Sequence, residues 1–461
     1  MEEFLQRVGE SVWGWPTMLL FVGVGVLFTV RLKGIQFRCL GRALRLIRPQ
    51  EGKNGISPYA ALCTALAATI GTGNIVGVAT AVAAGGPGAL LWMLIAAVFG
   101  MATQYAEGFL AVKYRRHEKN GYFGGPFCYI EQGLGKNWKW LAVLFAVTGA
   151  GVGILGIGTT TQVNSITGAA DAFFPSETAF TLAGHSYSWT LIISGAITAI
   201  AAALVLLGGV KRIARVCETL VPVMSVLYLL FSAFLLICCA DKIPSAALLI
   251  VKSAFCPRAV LGAGTGVSLK LALRMGIGRG VFTNEAGLGS SPIAAAASDE
   301  TDPVRQGLIT MTGTFIDTIV ICTITGLCLV VTEVWKAPLF GVEITDAAWR
   351  RGLPWAESLS SFILMVCLIF FAFATIIGWN FYAERCVQYL SGENPCLQKL
   401  YRIGYLLVIA VSPYITVNAA WELADILNAV MALPNLTALL LLQNRVVSDT
   451  LPSKPTKCAK K

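Results

Sequence analysis

The run Ala68-Thr69-Ile70-Gly71-Thr72-Gly73-Asn74-Ile75-Val76-Gly77 places two glycines and two polar side chains near the middle of an apolar, membrane-length stretch. Gly71 and Gly73 weaken the helical ladder, and Thr72 and Asn74 bring polar groups to the same depth. Exposed backbone at membrane depth is tolerated only where protein or a water-filled cavity surrounds it. A helix broken in this way frees dipole ends and carbonyls that can hold a charged solute and its coupling ion. Gly73 and Gly77 are also spaced as a GxxxG pair, which lets two membrane helices pack closely. Packing alone has no need of Thr72 and Asn74.

A second interrupted segment runs from Gly276 to Ser290 and contains Phe282-Thr283-Asn284-Glu285-Ala286-Gly287. Both segments carry Gly-x-Gly followed by a small polar residue. Glu285 is an intramembrane carboxylate, which costs about 2.5–3.5 kcal/mol at a helix centre on insertion scales. A functional partner or structural hydrogen bonds must offset that. Glu107 and Asp317 also fall in apolar segments and read as structural, each bonded to loop backbone or a neighbouring helix. Glycines at 149, 151, 153, 156 and 158 precede Thr159-Thr160-Thr161-Gln162. The glycine row reads as a close helix crossing, and Gln162 suits either an amino acid ligand or an interhelical bond. Farther on, Thr375 offers a hydroxyl that suits a hard cation. Trp379, four residues later, shares its face and sits too deep for an interfacial belt.

These residues need membrane helices to position them. Of 461 residues, 56% are hydrophobic and 13% charged, with a mean hydropathy of +0.70. Soluble domains carry about 25% charged residues, so the chain reads as an integral membrane protein. Spans of about 20 residues are expected at roughly eleven places: 12–32, 57–83, 87–113, 138–168, 188–209, 215–240, 259–298, 304–332, 354–383, 401–418 and 421–443. With the N-terminus outside, most of the Lys and Arg fall in cytoplasmic loops and the C-terminal tail. Arg31, Lys33, Arg38, Arg42, Arg45, Arg48 and Lys53 are the densest set, followed by Lys113, Arg115, Arg116 and Lys119. The loop 169–187 has neither residue type. This is the positive-inside bias, so the net charge of +10 calls for a lipid bilayer and no nucleic acid.

Thirteen cysteines show no CxxC or zinc spacing, and most lie inside spans as small hydrophobes. Met1-Glu2-Glu3 lacks the basic region of a secretory signal, so the first span is expected to be retained. No P-loop, Ser/His/Asp set or HExxH occurs, and only His117 and His185 are present. An enzyme is not expected.

The two interrupted segments open two blocks of five spans, leaving the first span as an extra helix. Because five is odd, the second block enters with opposite topology, the pattern that points to a transporter's binding site. The expected divisions are 1–50 (extra helix and basic loop), 51–240 (first repeat), 241–445 (second, inverted repeat) and 446–461 (basic cytoplasmic tail).

At these residues the chain resembles the alanine or glycine:cation symporter family (AGCS), the sodium/alanine symporters of prokaryotes. The resemblance covers nearly the whole chain and is carried by Ala68–Gly77, Gly85-Gly86-Pro87-Gly88-Ala89, Gln104-Tyr105-Ala106-Glu107, Gly280–Gly289 and Gly378-Trp379. It implies an all-α polytopic fold of LeuT type, with a 5+5 inverted repeat and one additional N-terminal helix. It further implies a monomer in the prokaryotic cell membrane that imports alanine or glycine with Na+ by alternating access. The substrate positions carried over are Thr72, Gly73, Asn74, Gln162, Phe282, Thr283, Asn284, Glu285 and Trp379. Sodium would use main-chain oxygens near Ala67 and Ile70 and the hydroxyl of Thr375. Many proteins of that fold place two hydroxyl residues here, whereas this chain has Ala374 before Thr375. A proton-coupled carrier of the same fold and an amino-acid-gated channel or sensor are the alternatives.

Overall fold

Several helices start where the sequence supplies a cap followed by a proline. Ser57 accepts from the Ala60 N–H ahead of Pro58, Asp302 from Val304 ahead of Pro303, and Asn394 from Cys396 ahead of Pro395. Each cap satisfies one orphan amide at a helix start, and the proline has no N–H to satisfy. The computed structural model describes residues 12–451 apart from 49–55, 119–120, 183–184, 256–268, 393 and 416. Met1-Glu2-Glu3, Lys53, Lys119, the start of the seventh expected span and the tail from 452 onward lie outside the described residues.

In chain order the main helices are α1 (Trp15–Arg31), α2 (Pro58–Thr69), α3 (Gly73–Gly85) and α4 (Gly88–Lys113). A hairpin of β1 (Arg116–Glu118) and β2 (Gly121–Phe123) leads to α5 (Lys139–Leu155) and α6 (Thr160–Phe173). A second hairpin, β3 (Thr178–Leu182) with β4 (His185–Ser188), precedes α7 (Trp189–Leu206), α8 (Gly209–Cys238) and α9 (Ile243–Phe255). Then follow α10 (Leu269–Asn284), α11 (Ser291–Ala297), α12 (Pro303–Val331) and α13 (Val342–Gly352). The last three are α14 (Glu357–Ser391), α15 (Pro395–Val411) and α16 (Val417–Thr450).

Among the described residues, seven helices are long and apolar enough to cross a membrane, counting α5 and α6 as one; α2 and α3, bent by 52°, make an eighth. The other three expected places hold shorter helices: α1, the pair α10 and α11, and α15. Both hairpins and α13 lie in segments read from the sequence simply as loops. At the C-terminal end, α16 continues past the expected boundary at 446, because Asp449 pairs with Lys113 and Thr450 bonds the Tyr105 hydroxyl at 3.0 Å.

Burial separates an outer layer from an inner one. Ile193, Ile197, Ile200 and Leu204 of α7 are each more than half exposed and recur at four, three and four residues. That spacing makes one apolar ridge, which lipid covers in a bilayer. At several crossings in the inner layer a glycine lets one backbone lie directly against another. A Cβ on Gly276 of α10 would stand 2.3 Å from the Ala89 carbonyl oxygen of α4, and one on Gly307 of α12 would stand 2.8 Å from that of Tyr105. Side chains there would force the helices apart. Gly276→Val should therefore destabilise the detergent-solubilised protein by about 1–3 kcal/mol, whereas Gly23→Ala, with nothing within 4 Å, should melt as wild type. Equal melting temperatures for both variants would rule out the close α4–α10 crossing.

Candidate central binding site

The first break lies between α2 and α3. In a continuous helix the Gly71 N–H would bond the Ala67 carbonyl; here it goes to Asn74 Oδ1 at 3.0 Å. The Ala67 carbonyl thereby loses its helical partner, and Ile70, at φ −75° and ψ 90°, turns the chain out of the helix. A Cβ on Gly71 would lie 2.4 Å from Thr375 Oγ1 and 3.7 Å from Gln162 Oε1. Main chain of the break, α14 and α6 therefore meet at one point. Thr375 donates its hydroxyl proton to the Phe371 carbonyl at 3.1 Å, so its oxygen is left as an acceptor. Next to this point, Gly378 packs against the backbone of Ala68.

The second break lies between α10 and α11. Glu285, Gly287 and Gly289 in the linker all have positive φ, and for glutamate that is a strained conformation. Side chains from three other elements hold it. Glu107 of α4 accepts from the Gly287 N–H at 3.2 Å, and Asn435 of α16 donates to the Gly287 carbonyl at 2.9 Å and to Glu107 at 2.6 Å. Tyr129 in turn donates to Asn435 Oδ1. Gln104 donates to the Asn284 carbonyl at 3.0 Å. The Glu285 carboxylate accepts from Trp379 Nε1 at 3.1 Å and from the Ser290 hydroxyl.

One carboxylate on α12 ties the two breaks together. Asn74 Nδ2 donates to Asp317 Oδ1 at 2.8 Å, and the Thr318 hydroxyl donates to Asp317 Oδ2 at 2.7 Å. Asn284 then donates to Thr318 Oγ1 at 3.1 Å and accepts from the Ala286 N–H at 3.0 Å. A second contact joins the same elements, because a Cβ on Gly73 would stand 3.2 Å from Thr283 Oγ1. Gly73 therefore serves the close packing as well as the break. Glu107 and Asp317 have the bonding expected of them, to a loop backbone and a neighbouring helix. Asp317 does more than expected, since one oxygen takes Asn74 of α3 and the other takes Thr318, which in turn receives Asn284 of α10.

A third break, between α5 and α6, corrects the reading of the glycine row. Gly149 and Gly153 do make a crossing, against Cys386 and Ala383 of α14. Beyond them the helix stops, and Gly156 and Thr159 take non-helical conformations. The Tyr405 hydroxyl of α15 lies 2.8 Å from the Gly158 carbonyl and 2.7 Å from that of Ile376. Gly158 sits against Trp379, where a Cβ would come within 2.8 Å of the tryptophan Cβ. Gln162 follows in the first turn of α6 with Oε1 buried and unpartnered, as is Thr72 Oγ1 at the α2–α3 break. Sequence reasoning missed Tyr405 and Asn435; the signal available was a polar side chain in an otherwise apolar helix.

All twelve positions expected to hold substrate or sodium are buried. Gly71 brings Gln162 and Thr375 together, Gly73 meets Thr283, and Trp379 meets Glu285. Asn74 and Asn284 meet only through Asp317 and Thr318. Around Gly71 the donors and acceptors are main-chain groups, an amide and a hydroxyl, a set suited to a zwitterion and a hard cation.

The sodium:alanine symporter family model matches residues 1–453. The chain is 47% identical to an uncharacterized transporter of Haemophilus influenzae over 98% of this chain and 95% of that one. It is 42% identical to the sodium/alanine symporter AgcS of Methanococcus maripaludis, over 97% and 96% of the two chains. Its fold matches the crystal structure of MhsT in complex with L-phenylalanine with a TM-score of 0.62 at 13% identity, covering 88% of this chain and 94% of MhsT. MhsT has the LeuT fold, so the helical membrane architecture expected from the resemblance is borne out. With its broken helices and a family match along nearly its whole length, the chain is a multi-pass membrane transporter, not an enzyme, and belongs to the sodium:alanine symporter family.

Proposed function

We propose that the chain imports alanine and glycine by symport with sodium, working by alternating access as two inverted five-helix repeats behind α1. It sits in a prokaryotic cell membrane as a monomer, N-terminus outside and C-terminus cytoplasmic. The observation that carries the reading is the junction at Gly71, where a freed carbonyl, the Thr375 acceptor oxygen and the unpartnered Gln162 amide oxygen converge on one broken helix. Sodium binds the Ala67 and Ile70 carbonyls and Thr375; Ala374 offers only its carbonyl. The substrate carboxylate meets main-chain N–H groups near Gly73 and Asn74, where the dipole of α3 favours an anion. The ammonium meets Gln162 and the carbonyls of the α10–α11 linker.

Thr283 and Asn284 shape the wall between the two breaks, and Phe282 and Trp379 close it. Glu285 acts through Trp379, whose indole it holds. A tightly closed pocket admits a methyl group and rejects leucine, since overpacking costs about 1–3 kcal/mol. The ion site spans α2 and α14, so ion occupancy stabilises the arrangement that binds substrate, which is the coupling symport needs. One charge moved through 100 mV contributes about 2.3 kcal/mol, and each tenfold sodium gradient about 1.4 kcal/mol. Together they support alanine accumulation on the order of 10²–10³.

Four measurements test this reading. Equilibrium alanine binding should collapse when choline replaces sodium at fixed pH; full affinity in choline would sink sodium coupling, and dependence on pH instead would favour a proton-coupled carrier. Saturable counterflow into loaded vesicles is expected, whereas conductance without saturation would identify a channel. Within the site, Thr375→Ala should raise the sodium concentration for half-maximal uptake at least tenfold while Thr375→Ser largely preserves it. Gln162→Leu should weaken alanine binding without lowering the melting temperature, and unchanged affinity would remove Gln162 from the site.

The Glu285–Trp379 bond has its own test. Leaving a buried donor or acceptor unpaired costs about 1–3 kcal/mol, so Glu285→Leu and Trp379→Phe should each lower the melting temperature. The double variant should fall no further than the worse single one. Additive losses would show that the two side chains act independently.

A further inference from the structure

Asn428 of α16 is completely buried, and neither its Nδ2 nor its Oδ1 has a hydrogen-bond partner. Its surroundings are defined by neighbours on the same helix. Four residues earlier, Ala424 lies against Gly156 in the α5–α6 break, its Cα 3.3 Å from where a Cβ of Gly156 would stand. Three residues later, the Met431 sulfur lies 3.6 Å from the equivalent point on Gly149. Asn435 follows after four more and bonds Gly287 in the α10–α11 linker. Positions 424, 428, 431 and 435 recur at four, three and four residues, one face of a helix. Contacts on both sides of Pro434 fix this face without assuming an ideal helix. Asn428 is therefore directed at the interior seam between two of the three breaks, roughly 10 Å along α16 from Asn435.

A buried amide left unpaired destabilises a fold, and an aliphatic residue of the same size would not. An amide with both ends vacant suits a partner that offers donors and acceptors at once. A zwitterion does so, its ammonium facing Oδ1 and its carboxylate facing Nδ2. Gln162 Oε1 and Thr72 Oγ1 are likewise buried and unpartnered, on α6 and at the α2–α3 break. We infer that Asn428 is a further specificity-determining residue of the transport pathway, contacting the polar groups of the amino acid at the seam between the α5–α6 break and the α10–α11 linker. This rests on the transport reading proposed above.

The test uses the full chain in proteoliposomes with labelled alanine and an imposed sodium gradient. Asn428→Leu and Asn428→Ala should both raise the KM for alanine about tenfold. Sodium half-saturation, measured at saturating alanine, should move less than twofold. Asn428→Leu should melt at or above the wild-type temperature, because an orphaned amide has been replaced by an apolar group of similar size. Asn428→Ser, smaller and still polar, replaces it if the leucine variant does not fold, and should fall between wild type and alanine. A wild-type KM in Asn428→Ala overturns the proposal, leaving the amide to hold an ordered water only, and a rise confined to Asn428→Leu is then a steric block. Absence of alanine uptake and binding by the wild type would overturn the transport reading itself, so the two failures are distinguishable.

Discussion

A backbone broken inside the hydrocarbon layer has to find its hydrogen-bond partners in the protein. This constraint organises the inner layer of the structure. Each of the three breaks is held by side chains, the first by one of its own and the other two by side chains from elsewhere in the chain. Asn74 takes the Gly71 amide, Glu107 and Asn435 take the peptide groups of Gly287, and Tyr405 lies on the carbonyl of Gly158. The polar residues in the apolar helices serve largely to meet this demand. Thr72 Oγ1 and Gln162 Oε1, beside the breaks, remain unpaired, and in the proposed function these are the groups that meet the solute.

The same bonds make the breaks interdependent. Asp317 receives Asn74 on one oxygen and Thr318 on the other, and Thr318 receives Asn284. A shift at the α2–α3 break is thereby felt at the α10–α11 linker through three hydrogen bonds. Glu285 extends the connection to α14 by way of Trp379. Glycine closes the remaining distance: at Gly71, Gly158 and Gly378 one backbone lies directly against a neighbouring helix. A packed interior with discrete hydrogen-bonded arrangements switches between states rather than deforming smoothly, which is what the proposed alternating access would require.

Much of this was legible in the residues alone. Low charge and high hydropathy required membrane helices, and the distribution of Lys and Arg gave an orientation to propose. Gly71–Asn74 and Gly276–Ser290 marked two interruptions because glycine next to a small polar residue is a poor way to build a continuous apolar helix. Glu107 and Asp317 were recognisable as structural because an intramembrane carboxylate needs a partner. The glycine row at 149–158 was half legible. Its crossing followed from small residues at helical spacing, but its break did not, since it depends on Tyr405 arriving from α15 to meet the freed carbonyl.

The sequence by itself determined the class of molecule, two of the three places where its helices fail and the residue types gathered there, because propensity, hydropathy and charge are local properties of the chain. The tertiary structure decided which polar groups are consumed in holding the breaks and which are left over. Asn74 and Gln162 look equally eligible in the sequence, yet one is saturated by Gly71 and Asp317 while the other keeps an unpartnered oxygen. Asn435 and Asn428, two turns apart on one helix, differ in the same way. Pairing joins atoms from residues hundreds of positions apart, so only the folded arrangement can say which acceptors remain open.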